Sequence, residues 1–221
     1  MSLPVCLLLV AAAVVRVPVD ARSIHAGSAF ALPVAIAKPG LAAIDTAHSV
    51  VRWRGTKFGG RGAHAGTLRV RQGELRYDGG KAEIDGGYIE LDMRSLAVTD
   101  MPLAETDARR KLAAHLLAAD FFDVARFPSA RFEIDRVRHH GGNLVRLDGR
   151  LTMRGGTRPF GFEATIWSFE PTRLHATARA TLDRQQWGVA FRGSRLTNDL
   201  VDDTIHLEFD IVARVVAGGV R

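Results

Sequence analysis

Cysteine is almost missing: Cys6 is the one thiol in 221 residues, so the chain forms no internal disulfide and offers no cysteine-based zinc site. Aromatic residues make up only 7%, with 11 Phe, 3 Trp and 2 Tyr, and show no banding into the two girdles of a lipid-facing barrel. Lysine is scarce as well, 4 residues against 26 arginines, a bias spread along the chain and not gathered into a patch. The phosphate-cradling GxxxxGK[ST] and GxGxxG patterns are absent, since Gly60, Gly62 and Gly66 miss the spacing, and so are GxSxG and HExxH. What is present is ordinary for a packed domain. Apolar residues reach 47% and charged residues 24%, which excludes wholesale disorder, and the net charge is +6.

The longest apolar run, residues 3–15 (LPVCLLLVAAAVV), is too short to span a bilayer comfortably and has the length of a signal-peptide core. Only Met1 and Ser2 precede it, so the usual basic flank is lacking, and a retained N-terminal anchor is the rival reading. Small-residue sites for cleavage follow at Val19-Asp20-Ala21, Ala29-Phe30-Ala31 and Ala35-Ile36-Ala37. Residues 1–40 are therefore expected to be a leader on an exported protein. Cys6 lies too near the start, after Val5, for a lipoprotein cysteine.

From about residue 45 the hydrophobic period is two, the period of a half-buried strand. Val51 and Trp53 alternate with Arg52 and Arg54; Leu68 and Val70 with Arg69 and Arg71; Ile89, Leu91 and Met93 with Glu90 and Asp92. Phe132 and Ile134 continue the pattern, and His139-His140-Gly141-Gly142-Asn143 reads as a hairpin loop. Residues 145–154 alternate throughout, Gly155-Gly156 turns them, and Phe160, Phe162, Ala164 and Ile166 face inward on the return. Leu174–Leu182 brings small inward residues, Ala176, Ala178 and Ala180; Trp187–Phe191 reads as a further short strand, and Ile205–Ile211 closes the series. Eight or nine strands with one polar face each predict an antiparallel sheet, not a buried parallel one, and closure into a barrel removes its edges.

One interruption is helical. Residues 105–119 (ETDARRKLAAHLLAA) contain no Gly or Pro and place Ala108, Leu112, His115/Leu116 and Ala119 on one stripe. This predicts an amphipathic helix plugging or flanking the barrel, anchored by the Phe pair in Asp120-Phe121-Phe122-Asp123. The polar candidates have plainer explanations than chemistry. His139-His140 sits in a loop without metal-ligand spacing, and His48, three residues after Asp45, suits local capping. Asp183-Arg184 with Trp187 suits a structural ion pair and a ring closing one barrel end. Outward arginines suggest nucleic acid, but Glu90, Asp92, Glu133, Asp135, Asp148, Glu163, Glu208 and Asp210 interleave with them and break any continuous positive field.

The ordered motifs resemble the YceI-like family. Asp45-x-x-His48-Ser49 opens the strand of Trp53, with Gly66 and then Ile89-Glu90-Leu91-Asp92-Met93-x-Ser95-Leu96 following. Lys111-Leu112-x-x-His115-Leu116, Asp120-Phe121-Phe122-Asp123-Val124-x-x-Phe127-Pro128 and Gly149-x-Leu151-Thr152-Met153 come next, and Asp183-Arg184-x-x-Trp187-Gly188-Val189 completes the order. The resemblance covers about residues 43–214. Ala113-Ala114 stand where many members carry an Arg-Asp pair, so any contact of that pair is not carried over. The resemblance implies a lipocalin-like barrel, usually periplasmic, that holds a polyisoprenoid or similar lipid such as an isoprenoid quinone, with no covalent cofactor, no metal and no catalytic residues.

Elementary physics is compatible with that function, because a barrel of about eight strands can enclose one slender ligand. Burial at about 25 cal/mol per Å² of apolar surface then supplies affinity without named polar groups. The residues expected to line the barrel or its mouth are Val51, Trp53, Leu91, Met93, Phe121, Phe122, Phe132, Leu151, Phe160, Phe162, Trp187 and Phe191. Singly, each is as well explained by core packing. Carriage or storage of an apolar lipid ranks first. Delivery of that lipid to a membrane redox protein, or a role in stress protection, ranks second. A small-substrate enzyme using Asp45/His48 or Asp183/Arg184 ranks third. Nucleic acid is not an expected partner, whereas transient membrane contact and a homodimer stay open.

Overall fold

The structure, a computed structural model, describes residues 40–78, 83–170, 173–189 and 201–216. The expected leader lies outside them except for Gly40, the first residue of β1, and Phe191 lies outside them as well. Nine antiparallel strands form the wall: β1 (Gly40–Ile44), β2 (Val50–Lys57), β3 (Gly62–Asp78), β4 (Glu83–Val98), β5 (Ser129–His139), β6 (Leu144–Met153), β7 (Gly156–Glu170), β8 (Arg173–Asp183) and β9 (Val201–Val216). The order β3-β2-β9-β8-β7-β6-β5-β4 closes through a β3–β4 pairing, giving a barrel of eight staves. β1 and β2 share one stave. β2 pairs with the early part of β3 and β1 with its later part, and both pair with β9. Every described strand thus has a partner on both sides, which removes the open edges that invite aggregation.

The break in the shared stave is closed by a side chain. Ser49 Oγ donates to Val212 O at 3.1 Å and accepts from Val212 N at 3.0 Å, while Asp45 N donates to the same carbonyl at 2.8 Å. Asp45 holds the turn between β1 and β2: its carboxylate accepts from Ala47 N and lies 2.9 Å from His48 Nδ1 and 2.8 Å from the Arg214 guanidinium. Those two partners draw the Asp45 carboxyl down to about 2. Local capping, as expected from the sequence, accounts for the Asp45/His48 pair.

Alternation sorts the two faces of the wall. The outer face carries ladders of charge, Arg131 with Glu90 and Glu133, Arg150 with Glu133 and Asp135, Arg138 and Arg146 with Asp148, and Arg179 with Glu208. That exterior is the reverse of a lipid-facing barrel. The long strands β3 and β4 bend through register shifts, one of them between Gly86 and Ile84, and beside it Gly87 has a φ of 129° and an approach to Glu74 O that leave no room for a Cβ.

The helix α1 (Thr106–Leu117) follows a 3₁₀ turn at Leu103–Glu105, close to the expected span. The centre of the expected stripe is packed, Leu112, His115 and Leu116, joined by Arg109, Ala113 and Leu117; Ala108 is exposed, and Ala119 lies exposed beyond the helix. At the start of the stripe Arg109 takes the place expected for Ala108, because it reaches the end of β4, donating to Val98 O from Nε and Nη2. The carbonyls from His115 to Ala118 are each satisfied. His115 O accepts from Ala118 N, Leu116 O from Phe122 N, Leu117 O from Val124 N, and Ala118 O from both Phe121 N and Asp123 N. Asp123 takes a left-handed φ of 50° to make that turn.

Trp187–Phe191 is not a strand as far as the described residues go. Arg184–Trp187 is a 3₁₀ turn capped by Asp183, whose carboxylate accepts from Gln185 N at 2.9 Å, and it ends at Gly188 in the left-handed region. A tight turn needs that φ, which glycine supplies without strain.

Candidate ligand-binding cavity

The barrel has a mouth end and a far end. The β2–β3 turn, α1 with its Phe121–Phe122 corner, the β6–β7 turn and the Arg184–Trp187 turn gather at the mouth, because β2, β4, β6 and β8 all finish there. At that end the inward-facing side chains do not fill the space. A cavity of about 180 Å³ remains. For scale, an engineered apolar cavity of about 150 Å³ takes up benzene. Its wall is aliphatic and aromatic, built by Leu68, Ile89, Leu91, Met93 and Leu96 of β3 and β4, Phe132 of β5, Leu151 and Met153 of β6, Phe160 and Phe162 of β7, and Ile205, Leu207 and Phe209 of β9. Leu112, His115 and Leu116 of α1, with Phe121 and Phe122, cover part of the opening.

Charged groups are confined to the rim. Lys57 Nζ lies 3.4 Å from His64 Nε2, and His64 Nδ1 lies 3.2 Å from Asp100. Asp202 accepts from Thr56 Oγ1 and from the amides of Gly59 and Gly60, which holds the β2–β3 turn and keeps its carboxyl below the usual range. Arg184 is fully buried, and its guanidinium donates to the carbonyls of Val189, Val201 and Asp202 and to the Asp203 carboxylate. Burial pushes the Arg184 guanidinium down, against the pull of the neighbouring carboxylates. The expected ion pair is therefore redirected: Asp183 caps a turn and Arg184 pairs with Asp203.

Nine of the twelve expected lining residues surround this cavity: Trp53, Leu91, Met93, Phe121, Phe122, Phe132, Leu151, Phe160 and Phe162. Val51 points inward but is sealed in the wall between Leu68 and Phe209, its register partners, and does not reach the open space. Trp187 is also a correction. It is buried beside the cavity, donating Nε1–H to Leu151 O at 3.1 Å and standing edge-on to Phe160, so it braces a wall residue and does not line the space. Trp53 lies flat across Gly66, where a Cβ would fall 2.7 Å from the indole ring, and its Nε1 is buried with no hydrogen-bond partner among the described residues. The β9 residues Ile205, Leu207 and Phe209 were missed as lining, although their alternation was visible. The rim groups Thr56, Lys57, His64 and Asp202 were missed because only tertiary closure brings them together. Among the described residues no cluster of three or more metal-ligating side chains occurs.

The family model for the YceI-like domain matches residues 43–213. A UPF0312 protein of Pseudomonas putida strain F1 is 33% identical over 101 residues, 42% of this chain and 50% of that protein. The chain thus spans about half the length of the curated relatives it matches. Among solved structures, Burkholderia cenocepacia BcnA superposes with a TM-score of 0.59 at 18% identity, covering 76% of this chain and 98% of that one. A polyisoprenoid binding domain from Saccharophagus degradans gives 0.58 at 13% identity, over 81% of this chain and all (100%) of that one. These likenesses show the fold, and the family match over most of the barrel shows that the chain belongs to the YceI-like family.

Proposed function

We propose that this protein is a carrier or storage protein for a long apolar lipid of the polyisoprenoid or isoprenoid-quinone class, held in the barrel with its end inside and any polar head at the rim. The observation that carries this reading is the distribution of chemistry in the cavity: aliphatic and aromatic side chains in its depth, charged groups only at the opening. Such a site gains affinity from burial of an apolar chain and asks for no catalytic group. The name of the Saccharophagus degradans domain, which binds a polyisoprenoid, agrees with that class. A binding role is preferred to catalysis because both candidate polar pairs are already engaged in structure: Asp45/His48 in a turn, Arg184 in clamping the start of β9. Export is part of the proposal and rests on the apolar run at residues 3–15.

A second reading, transfer of the lipid at a membrane or a membrane redox protein, is favoured by Phe58 and Leu103. Both belong to the mouth end, and they are 48% and 82% exposed. The test is native mass spectrometry and lipid extraction of the protein purified from its own organism. Co-purifying prenyl lipid in near-stoichiometric amount is the expected result; an empty barrel that also fails to take up added prenols overturns the proposal.

A further inference from the structure

The cavity has a floor, and beneath the floor is a second space. It measures about 40 Å³ and is lined on the far side by Ile134, Ile166, Ile211 and the small residues Ala164, Ala176 and Ala178. The two spaces share four side chains and no others: Ile89, Phe132, Phe162 and Phe209. Three of these are rings from every second strand, β5, β7 and β9. Phe162 stacks parallel on Phe209 with centroids 5.1 Å apart, and Phe132 tilts against Phe162 at 5.2 Å. The intervening strand β8 makes this possible, because Ala178 sits opposite Phe209 and Ala164 in register and leaves room for rings to meet across it. An empty apolar void is destabilising, and larger aliphatic side chains at the three alanines would fill it.

Resting on the carrier reading above, we propose that the Phe132–Phe162–Phe209 layer is the element that sets chain length: it stops the inward end of an apolar chain, and the space below is an end pocket that the rings keep shut. Isoprene units added at the inner end gain burial until the chain meets the rings, and units beyond that must stay at the rim, where they gain less. Removal of one ring joins the two spaces and admits a longer chain.

The test measures the affinity of all-trans prenols of increasing length, from geraniol through farnesol to geranylgeraniol and longer homologues, for the delipidated full chain and for Phe209→Ala. Phe209→Leu serves the same purpose where the alanine variant does not fold. In the wild type affinity is expected to rise with length and then level off. In the variant the levelling is expected at least one isoprene unit later, and the ratio of long-prenol to geraniol affinity should increase about tenfold at the length where the wild type has levelled. Adding Ala178→Leu to Phe209→Ala refills the lower space and should bring the levelling back. Binding of every prenol with the same levelling point in both proteins overturns the floor and leaves the carrier reading intact, as does a wild type that never levels off. Failure of all prenols to bind the wild type overturns the carrier reading and this inference with it.

Discussion

At the far end of the barrel Leu174, Ala42 and Ala213 are sealed, whereas at the mouth end Ile205, Leu207 and Phe209 point inward just as surely and remain partly accessible. Both sets obey the same period of two, and β9 contributes to each. The difference is in what stands opposite. At the far end β1 adds a second short piece to the shared stave, and Tyr77, Leu75, Ile84 and Ile134 leave only the small lower space of about 40 Å³. At the mouth end the opposing elements are a helix and turns, which cover the opening without entering it. Alternation chooses a face. How far that face is filled depends on which elements close the end.

The comparison can be broken most forcefully at Arg184, a point of the mouth end that is packed as tightly as the far end. Arg184→Ala takes the guanidinium from three carbonyls and from the Asp203 carboxylate, which among the described residues keeps only Gln185 Nε2 as a donor, and should lower stability by about 3–5 kcal/mol in urea unfolding. Next comes the paired test of filling. Leu174→Ala, in a fully buried site, should cost about 3 kcal/mol, because it opens a cavity in a close-packed region. Leu207→Ala, which borders existing space, should cost only about 1 kcal/mol, the transfer contribution without a new void. Equal losses from the two leucines would contradict the distinction between the halves.

The far-end stave break gives a pH signature. The Asp45 carboxyl titrates at about 2 in the folded protein, below its ordinary 3.8, so its contribution is present above 3.8 and is lost as pH falls toward 2. Unfolding midpoints should therefore drop over that interval, and the drop should be shallower in Asp45→Asn; a slope unchanged by the substitution would remove Asp45 from the account. The smallest effect is expected on the outer wall. Arg179→Gln breaks an exposed pair with Glu208 and should change stability by less than about 0.5 kcal/mol.

Much of this molecule was legible in its sequence for a physical reason: a strand writes its two faces into alternate residues, so Trp53, Leu91, Met93, Phe160 and Phe162 announced their direction. Direction was not the same as access. Val51 obeys the pattern and is walled in; Trp187 stands in a 3₁₀ turn, where period two means nothing, and its ring braces Phe160 from beside the cavity. The helix stripe holds at Leu112, His115 and Leu116 but starts at Arg109 and not at Ala108, because that long charged residue donates to a strand carbonyl, a role that apolar periodicity cannot reveal. The rim groups Lys57, His64 and Asp100 belong to three separate segments joined only by folding. The family resemblance supplied the order of motifs, and the structure supplied the partition of the interior by three rings.

The divided stave has a mechanical consequence. In a closed ring, pulling out any full-length strand breaks two long ladders at once, so the wall resists piecemeal opening. The segment Gly40–Ile44 is the exception, since it occupies only the lower stretch of the gap between β3 and β9, and β2 continues to bridge them above. Peeling it away leaves the hoop intact while unsealing the base. The amides of this short piece should therefore exchange with solvent sooner than those of β2, making the first five described residues the natural place for the molecule to loosen before it unravels.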